Sequence, residues 1–530
     1  MDPHYDYGLF LLGLGLTDLQ KTLTDVGLPK NVFDWTVSHR IADQQVDIAR
    51  ETSLTTAMQA QLNPDQRSCF ETIVTAITND PQTAHFYLQG PGGTGKTFLY
   101  QTLCHYYRSQ GKTVLCVAST GIAALLLPDG RTSHSQFRIP LELNESSIST
   151  ITKTSRLGAY LRSIDLIIWD EVPMQHKYCF EVVHRLMVDL WSVADDVLFG
   201  GVPVVLGGDF AQILPVVPHG SRTEIVRACL QRTWIWPRLR RLSLRINMRV
   251  RNDPSELDFI DWISRLPYDP SLNGQITLPP FIPQLKSAID LINRIYPRER
   301  LLRAPRDYQA FRGRAILSTL NDTVRELNQK ILDMLPGQER TYFAVDSADV
   351  NEADPEIAEL PPEVLQNICL PGLPLSQLRL KVGAPAILLR NLCPQEGLCN
   401  GSRMSIHSLG RFTVQVRLLG GEFDGQLRTI PRVKLQSTDQ QLSFTLSRKQ
   451  FPLALSFAMT INKSQGQSFE AVGVDLRSPV FTHGQFYVAA SRVTSKAGLC
   501  VLLPPDTTYT CNIVYPEILQ GLTYFLLIYR

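Results

Sequence analysis

The residues with the clearest chemical meaning are Gly90-Pro91-Gly92-Gly93-Thr94-Gly95-Lys96-Thr97, which fit G-x-x-x-x-G-K-[ST]. Glycines let a backbone wrap closely around phosphate oxygens, and successive N–H groups at a helix start bind the anion. Gly90, Gly92, Gly93, Thr94 and Gly95 therefore read as a phosphate cradle. Lys96 is expected to reach the β- and γ-phosphates of a nucleotide, and the Thr97 hydroxyl to hold Mg²⁺. Such a cradle needs a metal-holding acid at the end of a neighbouring strand. Leu166-Ile167-Ile168-Trp169-Asp170-Glu171 offers four apolar residues followed by two carboxylates. Asp170 is the expected Mg²⁺ ligand, and Glu171 the group that polarises an attacking water. Val204-Val205-Leu206-Gly207-Gly208-Asp209-Phe210-Ala211-Gln212 places Gln212 just past another strand end, where it can bond the γ-phosphate or that water.

These groups must be held by alternating strands and helices. Phe70 to Ile77 reads as a helix, His85 to Leu88 as a buried strand and Thr97 to Gln110 as a helix. Thr113 to Ala118, Leu166 to Trp169 and Val204 to Leu206 read as further strands. The alternation predicts a parallel sheet with right-handed crossovers. Residues 268–300 and 345–375 are rich in Pro and acidic residues and read as connectors or surface insertions. Arg314 to Thr319 looks like the first strand of a second α/β unit, and residues 380–445 like short antiparallel strands of a small β-barrel insertion. The α/β pattern resumes at Leu453 and ends near Leu503. Leu16, Leu19 and Leu23 behind Thr17-Asp18 predict a capped helix in an N-terminal arm.

Composition narrows the class. The chain has 530 residues, 19% charged and 44% hydrophobic, and a formal charge of +2. That excludes a largely disordered chain and a polycation, so any nucleic acid must be held in a local groove. The ten cysteines are scattered without a C-x-x-C, which predicts buried free thiols in a reducing compartment and no structural zinc. No apolar run reaches membrane-spanning length, and the acidic start lacks the basic flank of a signal peptide.

A phosphate cradle alone serves kinases, GTPases and many ATPases. The later motifs separate these. Leu62-Asn63-Pro64-Asp65-Gln66, Ser119 to Ala124, Thr132 to Phe137, Asp170 to Met174 and Gly208 to Pro215 appear in order, followed by Asn247-Met248-Arg249, Thr460 to Ser468 and Tyr487 to Arg492. From about residue 60 to 515 the set resembles the PIF-type group of superfamily-one DNA helicases. Gln175 to Phe180 and Leu198 to Gly201 look most like the helicase part of Helitron-type transposable elements. No His-hydrophobic-His motif of the nuclease that accompanies such elements occurs here.

The resemblance implies an ATP-dependent helicase moving 5′-to-3′ on single-stranded DNA and separating duplex or forked DNA, as a monomer or a DNA-induced oligomer, in repair, recombination, telomere maintenance or element replication. It implies ATP and Mg²⁺ as cofactors and nuclear residence, with mitochondria as the alternative. It implies an α/β fold of two RecA-like parallel-sheet lobes with a small SH3-like β insertion in the second. The matching boundaries are an arm at 1–58, a first lobe at 59–250, a connector at 251–310, a second lobe at 311–378 and 446–515, the insertion at 379–445 and a tail at 516–530. By motif, Gln66 would contact adenine, and Arg249 and Arg492 would be arginine fingers. Thr120, Ser133, His134 and Thr460 are the expected DNA phosphate contacts, and Phe137 the expected base-stacking ring. The competing reading is a catalytically inactive DNA-binding remnant of a Helitron-type element. A site that keeps Lys96, Thr97, Asp170, Glu171, Gln212, Arg249 and Arg492 argues against it.

Overall fold

The computed structural model describes residues 24, 29, 47–248, 254–349, 361–370, 372–437 and 444–522. Two parallel sheets organise it. The first runs Arg131–Thr132, Val114–Ala118, Leu166–Asp170, Val204–Gly208, His85–Gln89, Arg240–Ser243 in space. Every pairing is parallel, with His85 opposite Val204 and Phe86 opposite Arg240. The strands at His85–Gln89, Val114–Ala118, Leu166–Asp170 and Val204–Gly208 are buried along their whole length, as the near-continuous apolar runs require of a sheet covered on both faces. The second sheet runs Ala458–Thr460, Arg314–Ser318, Ala471–Asp475, Leu499–Leu502, Gln284–Leu285, again all parallel. An α/β fold of two parallel-sheet lobes is thus the observed architecture.

Three sequence expectations change. Residues 268–300 contribute more than a connector. Gln284–Leu285 is the edge strand of the second sheet, and the Ala288–Ile295 helix buries Leu291, Ile292 and Ile295 there. The β insertion is also wider than 379–445. Its five-stranded antiparallel sheet runs from Pro385–Leu388 to Leu453–Leu455, and a second antiparallel sheet joins Val345–Asp349, Thr445–Gln450 and Val433–Gln436. There the fully buried Arg448 grips Asp346 with both prongs, at 2.8 and 2.9 Å, and donates to the Pro374 and Leu365 carbonyls. Finally, residues 516–522 are no free tail. Ile518 is buried, its carbonyl accepts from Gln231 Nε2 at 2.9 Å, and Glu517 pairs with Arg222.

The expected arm helix around Leu16 and the tail residues 523–530 lie outside the described residues. What is described of the arm, the Ile48–Gln61 helix, is capped by Asp47 and ties to the helix behind the phosphate cradle through Glu51 and His105, 2.6 Å apart. One apolar core runs through both lobes, joining Trp169, Phe210 and Leu214 to Met459, Phe486 and Val488. Among the described residues no helix is long and apolar enough to cross a membrane.

Candidate nucleotide and DNA site

The His85–Gln89 strand is central in the first sheet and leads through the glycine loop into the Lys96–Ser109 helix. Gly95, at φ 79°, turns the chain into that helix. The loop is braced from below. Gln66 is 1% exposed, accepts from Asn63 N at 3.1 Å in a capping box, and donates through Nε2 to the Thr94 and Gly95 carbonyls. Its amide is therefore engaged with the loop rather than turned toward a base. Lys96 Nζ is folded onto the Gly90 carbonyl. Met248 N donates to Gly93 O at 2.9 Å, bringing the Asn247-Met248 segment to the loop. Arg249 lies outside the described residues.

Two strands away, Asp170 and Glu171 end the Leu166–Asp170 strand, both buried. Glu171 has φ 54°, an uncommon conformation for a residue with a Cβ, and strain of this kind costs about 1–3 kcal/mol. It is held there by its N–H donating to Asp170 Oδ1 at 2.8 Å and by Ser119 Oγ donating to its carbonyl at 2.6 Å. Burial raises the Asp170 carboxyl, against the opposing charge of Lys96. Burial and then the charge of Asp170 push Glu171 up to about 7, opposed by Lys96 and Arg492. Two adjacent buried carboxyls raise each other's cost of ionising, a cost that a divalent cation beside them would relieve, and a carboxyl poised near neutrality can take a proton from water.

The second lobe reaches into this site. Arg492, just past the Gln485–Ala490 helix, is 3% exposed and held by bonds to Val488 O, Gln467 O and Ser491 Oγ at 3.0, 3.2 and 3.0 Å. Burial lowers its guanidinium, and Glu171 is the foremost charge restoring it. Gln212 is 2% exposed and donates to Asp209 Oδ2 at 3.2 Å. Its Oε1 has no hydrogen-bond partner among the described residues. Lys96, Asp170, Glu171 and Arg492 are thus electrostatic neighbours. Thr97 opens the helix beside Lys96, half-buried.

The expected DNA contacts do not form one surface. Phe137 is fully buried against Trp169, with ring centroids 5.6 Å apart, so it is a core residue and offers no face to a base. Ser133 is also fully buried, its hydroxyl accepting from Gln175 Nε2 at 2.7 Å, so its side chain does not reach a phosphate. His134 contacts Gln175 at 3.3 Å and Cys179 at 3.9 Å, and burial lowers its imidazole. Thr120 caps the Gly121–Leu125 helix, accepting from Ala123 N at 3.2 Å. Thr460 remains half-buried at a strand end, and with Lys463, Asn321, Arg325, Leu370 and Leu455 it lines a cavity of about 290 Å³.

Sequence reasoning missed Asp209 and Gln175 as hubs. Asp209 is fully buried and accepts from Gln89, Ala211, Gln212 and Tyr487. Gln175 joins Trp169, Ser133 and His134. A polar residue inside an otherwise apolar strand-end motif was the available signal for both.

Comparison with known proteins bears on the fold and on the kind of protein the chain resembles. Residues 61–269 match the family described as PIF1-like helicase, and residues 363–409 the family described as DNA helicase Pif1, 2B domain. The ATP-dependent DNA helicase PIF1 of Danio rerio is 30% identical over 427 residues, covering 78% of this chain and 58% of that protein. The chain therefore spans less than two thirds of that relative's length. Among solved structures, the Pif1 helicase of Candida albicans superposes with a TM-score of 0.60 at 24% identity, over 87% of this chain and 98% of that one. Pif1 of Bacteroides in complex with ADP-AlF3 and ssDNA gives 0.60 at 22% identity, over 86% of this chain and 95% of that one.

Proposed function

We propose that this chain, a relative of the PIF-type superfamily-one helicases, is an ATP-dependent DNA helicase that moves 5′-to-3′ on single-stranded DNA and separates duplex ahead of it. The observation that carries the reading is the buried Asp170–Glu171 pair, flanked by Lys96 from one lobe and Arg492 from the other. A nucleotide site completed by two lobes closes when its γ-phosphate is present and opens when that group leaves, which converts hydrolysis into relative motion. The Danio rerio relative is named an ATP-dependent DNA helicase, and the Bacteroides structure holds ADP-AlF3 and ssDNA, in line with that cycle.

In this reading the glycine loop and Lys96 bind the β- and γ-phosphates, and Thr97 and Asp170 would hold Mg²⁺, which would supply charge neutralisation on the phosphates. Glu171 takes the proton of the attacking water, Gln212 orients that water through its buried, unpartnered Oε1, and Arg492 with Arg249 stabilises charge on the transferring group. Gln66 turns to adenine only after leaving the loop carbonyls. Thr120, His134 and Thr460 are the remaining candidates for gripping the strand. Splitting a duplex costs about 1.4 kcal/mol per stacked pair. The Helitron-like segments support a role in element replication beside repair, recombination and telomere maintenance, and residence in the nucleus.

The test is strand separation on duplexes carrying a single 5′ or a single 3′ tail, with ATP and Mg²⁺. Opening of the 5′-tailed duplex alone is expected. Preference for the 3′ tail would overturn the direction, and opening of neither would overturn the helicase.

A further inference from the structure

The turn that carries Gln212 is docked into the second lobe at three points. Asp209 Oδ2 accepts from Gln212 Nε2 at 3.2 Å and from the Tyr487 hydroxyl at 3.1 Å. His483 Nε2 donates to the Phe210 carbonyl at 2.8 Å, while its Nδ1 accepts from Tyr515 N at 2.8 Å. This pair of bonds fixes one neutral tautomer. Gly484, at φ 72°, lies so close that an added Cβ would stand 2.5 Å from Ala211 O and 2.7 Å from Gln212 O. All three contacts come from residues 483–487, at the head of the helix that leads to Arg492.

We infer that Tyr487 is a positioning residue that tells the first lobe that the second has closed, acting through Asp209 on the Gln212 carboxamide. This rests on the helicase reading above. The Asp209 carboxylate is fully buried, and its other oxygen is already bound by Gln89 Nε2 and Ala211 N, both at 3.1 Å. Oδ2 is therefore the oxygen shared between the lobes. With the Tyr487 hydroxyl in place, Oδ2 holds the Gln212 amide nitrogen, and Oε1 stays buried without a protein partner. A shift of about 1 Å between lobes takes the hydroxyl out of hydrogen-bond range and leaves Gln212 Nε2 bonded to an oxygen that the second lobe no longer anchors, so the placement of the amide is no longer set by that lobe. Closure sensed at Tyr487 and charge delivered at Arg492 are one movement, because both sit on the same short segment.

The test is a double-mutant cycle in the full chain, reading ATP turnover with saturating single-stranded DNA. Tyr487→Phe keeps the ring and removes the hydroxyl. It is expected to lower kcat about tenfold while the KM for ATP stays within about twofold. Gln212→Ala is expected to lower kcat about a hundredfold. If Tyr487 acts through Gln212, the double variant loses no more than Gln212→Ala alone. Losses that multiply, or an unchanged kcat in Tyr487→Phe, would overturn the inference. Should Tyr487→Phe not fold, Asp209→Asn in the same cycle removes the acceptor that Tyr487 and Gln212 share and decides by the same non-additivity. If the unaltered chain shows no DNA stimulation, the helicase reading fails by itself, and the cycle on DNA-free hydrolysis still decides the relay.

Discussion

The two parallel sheets are built alike and equipped differently. In the first lobe, the His85–Gln89 strand is separated from its helix at Lys96 by the six residues of the glycine-rich loop, 90–95. In the second, the Arg314–Ser318 strand is followed by only Thr319 and Leu320 before the Asn321–Met334 helix, and Thr319 bonds the Ser478 carbonyl at 3.1 Å. No cradle can form there. The second lobe instead brings a buried cation, Arg492, and the hydroxyl of Tyr487 to the first lobe's strand ends. One lobe carries the glycine loop and the paired carboxyls, and the other carries the groups that meet them.

That contrast is broken most directly at Arg492. Replacing it with Ala is expected to lower turnover by about 10³-fold or more, in the range of arginine fingers, while affinity for a non-hydrolysable ATP analogue changes little. An equal loss of affinity would make the second lobe a binding lobe as well. Lys96→Ala should cost about 10²- to 10³-fold in kcat and, unlike the Arg492 change, also weaken analogue binding. Titration calorimetry on the two variants separates them.

A third effect concerns the joint between the lobes. Burial holds the His483 imidazole down to about 4 from its ordinary 6.5, with Glu517 and Arg222 as the charged neighbours. The unfolded chain takes this proton below pH 6.5 and the fold refuses it until about 4. Stability from this group is therefore complete above pH 6.5 and lost as pH falls toward 4, by about 3 kcal/mol. His85, also held down to about 4 by burial, adds a slope of the same sign. Thermal melts of His483→Gln across that range should show a shallower fall; an unchanged slope would remove His483 from the joint.

The smallest effect sharpens the line between core and groove. Phe137→Leu should cost about 1.5 kcal/mol in urea unfolding and leave affinity for single-stranded DNA within about twofold. A selective loss of DNA affinity would restore Phe137 as a stacking ring.

The loop and the strand ends around it were legible because their pattern is local in sequence. The loop Gly90–Thr97, the apolar strand before Asp170 and the one before Gln212 each announce a strand end. The DNA side was not, because burial is a tertiary property. Phe137 and Ser133 look available in a polar loop until Trp169 and Gln175 are folded onto them. The widened β insertion escaped for a related reason: Val345–Asp349 pairs with Thr445–Gln450, nearly a hundred residues away, across a segment whose Pro and acidic content reads as a connector. Tyr487 and Asp209 stood inside recognised motifs, yet their contact links residues 278 apart and leaves no local pattern.

The decisive measurement is steady-state ATP hydrolysis with and without single-stranded DNA, with Lys96→Ala as the blank. Strong stimulation that vanishes in the variant is the predicted result. Hydrolysis indifferent to DNA, or none despite DNA binding, would contradict a two-lobed motor driven by this site.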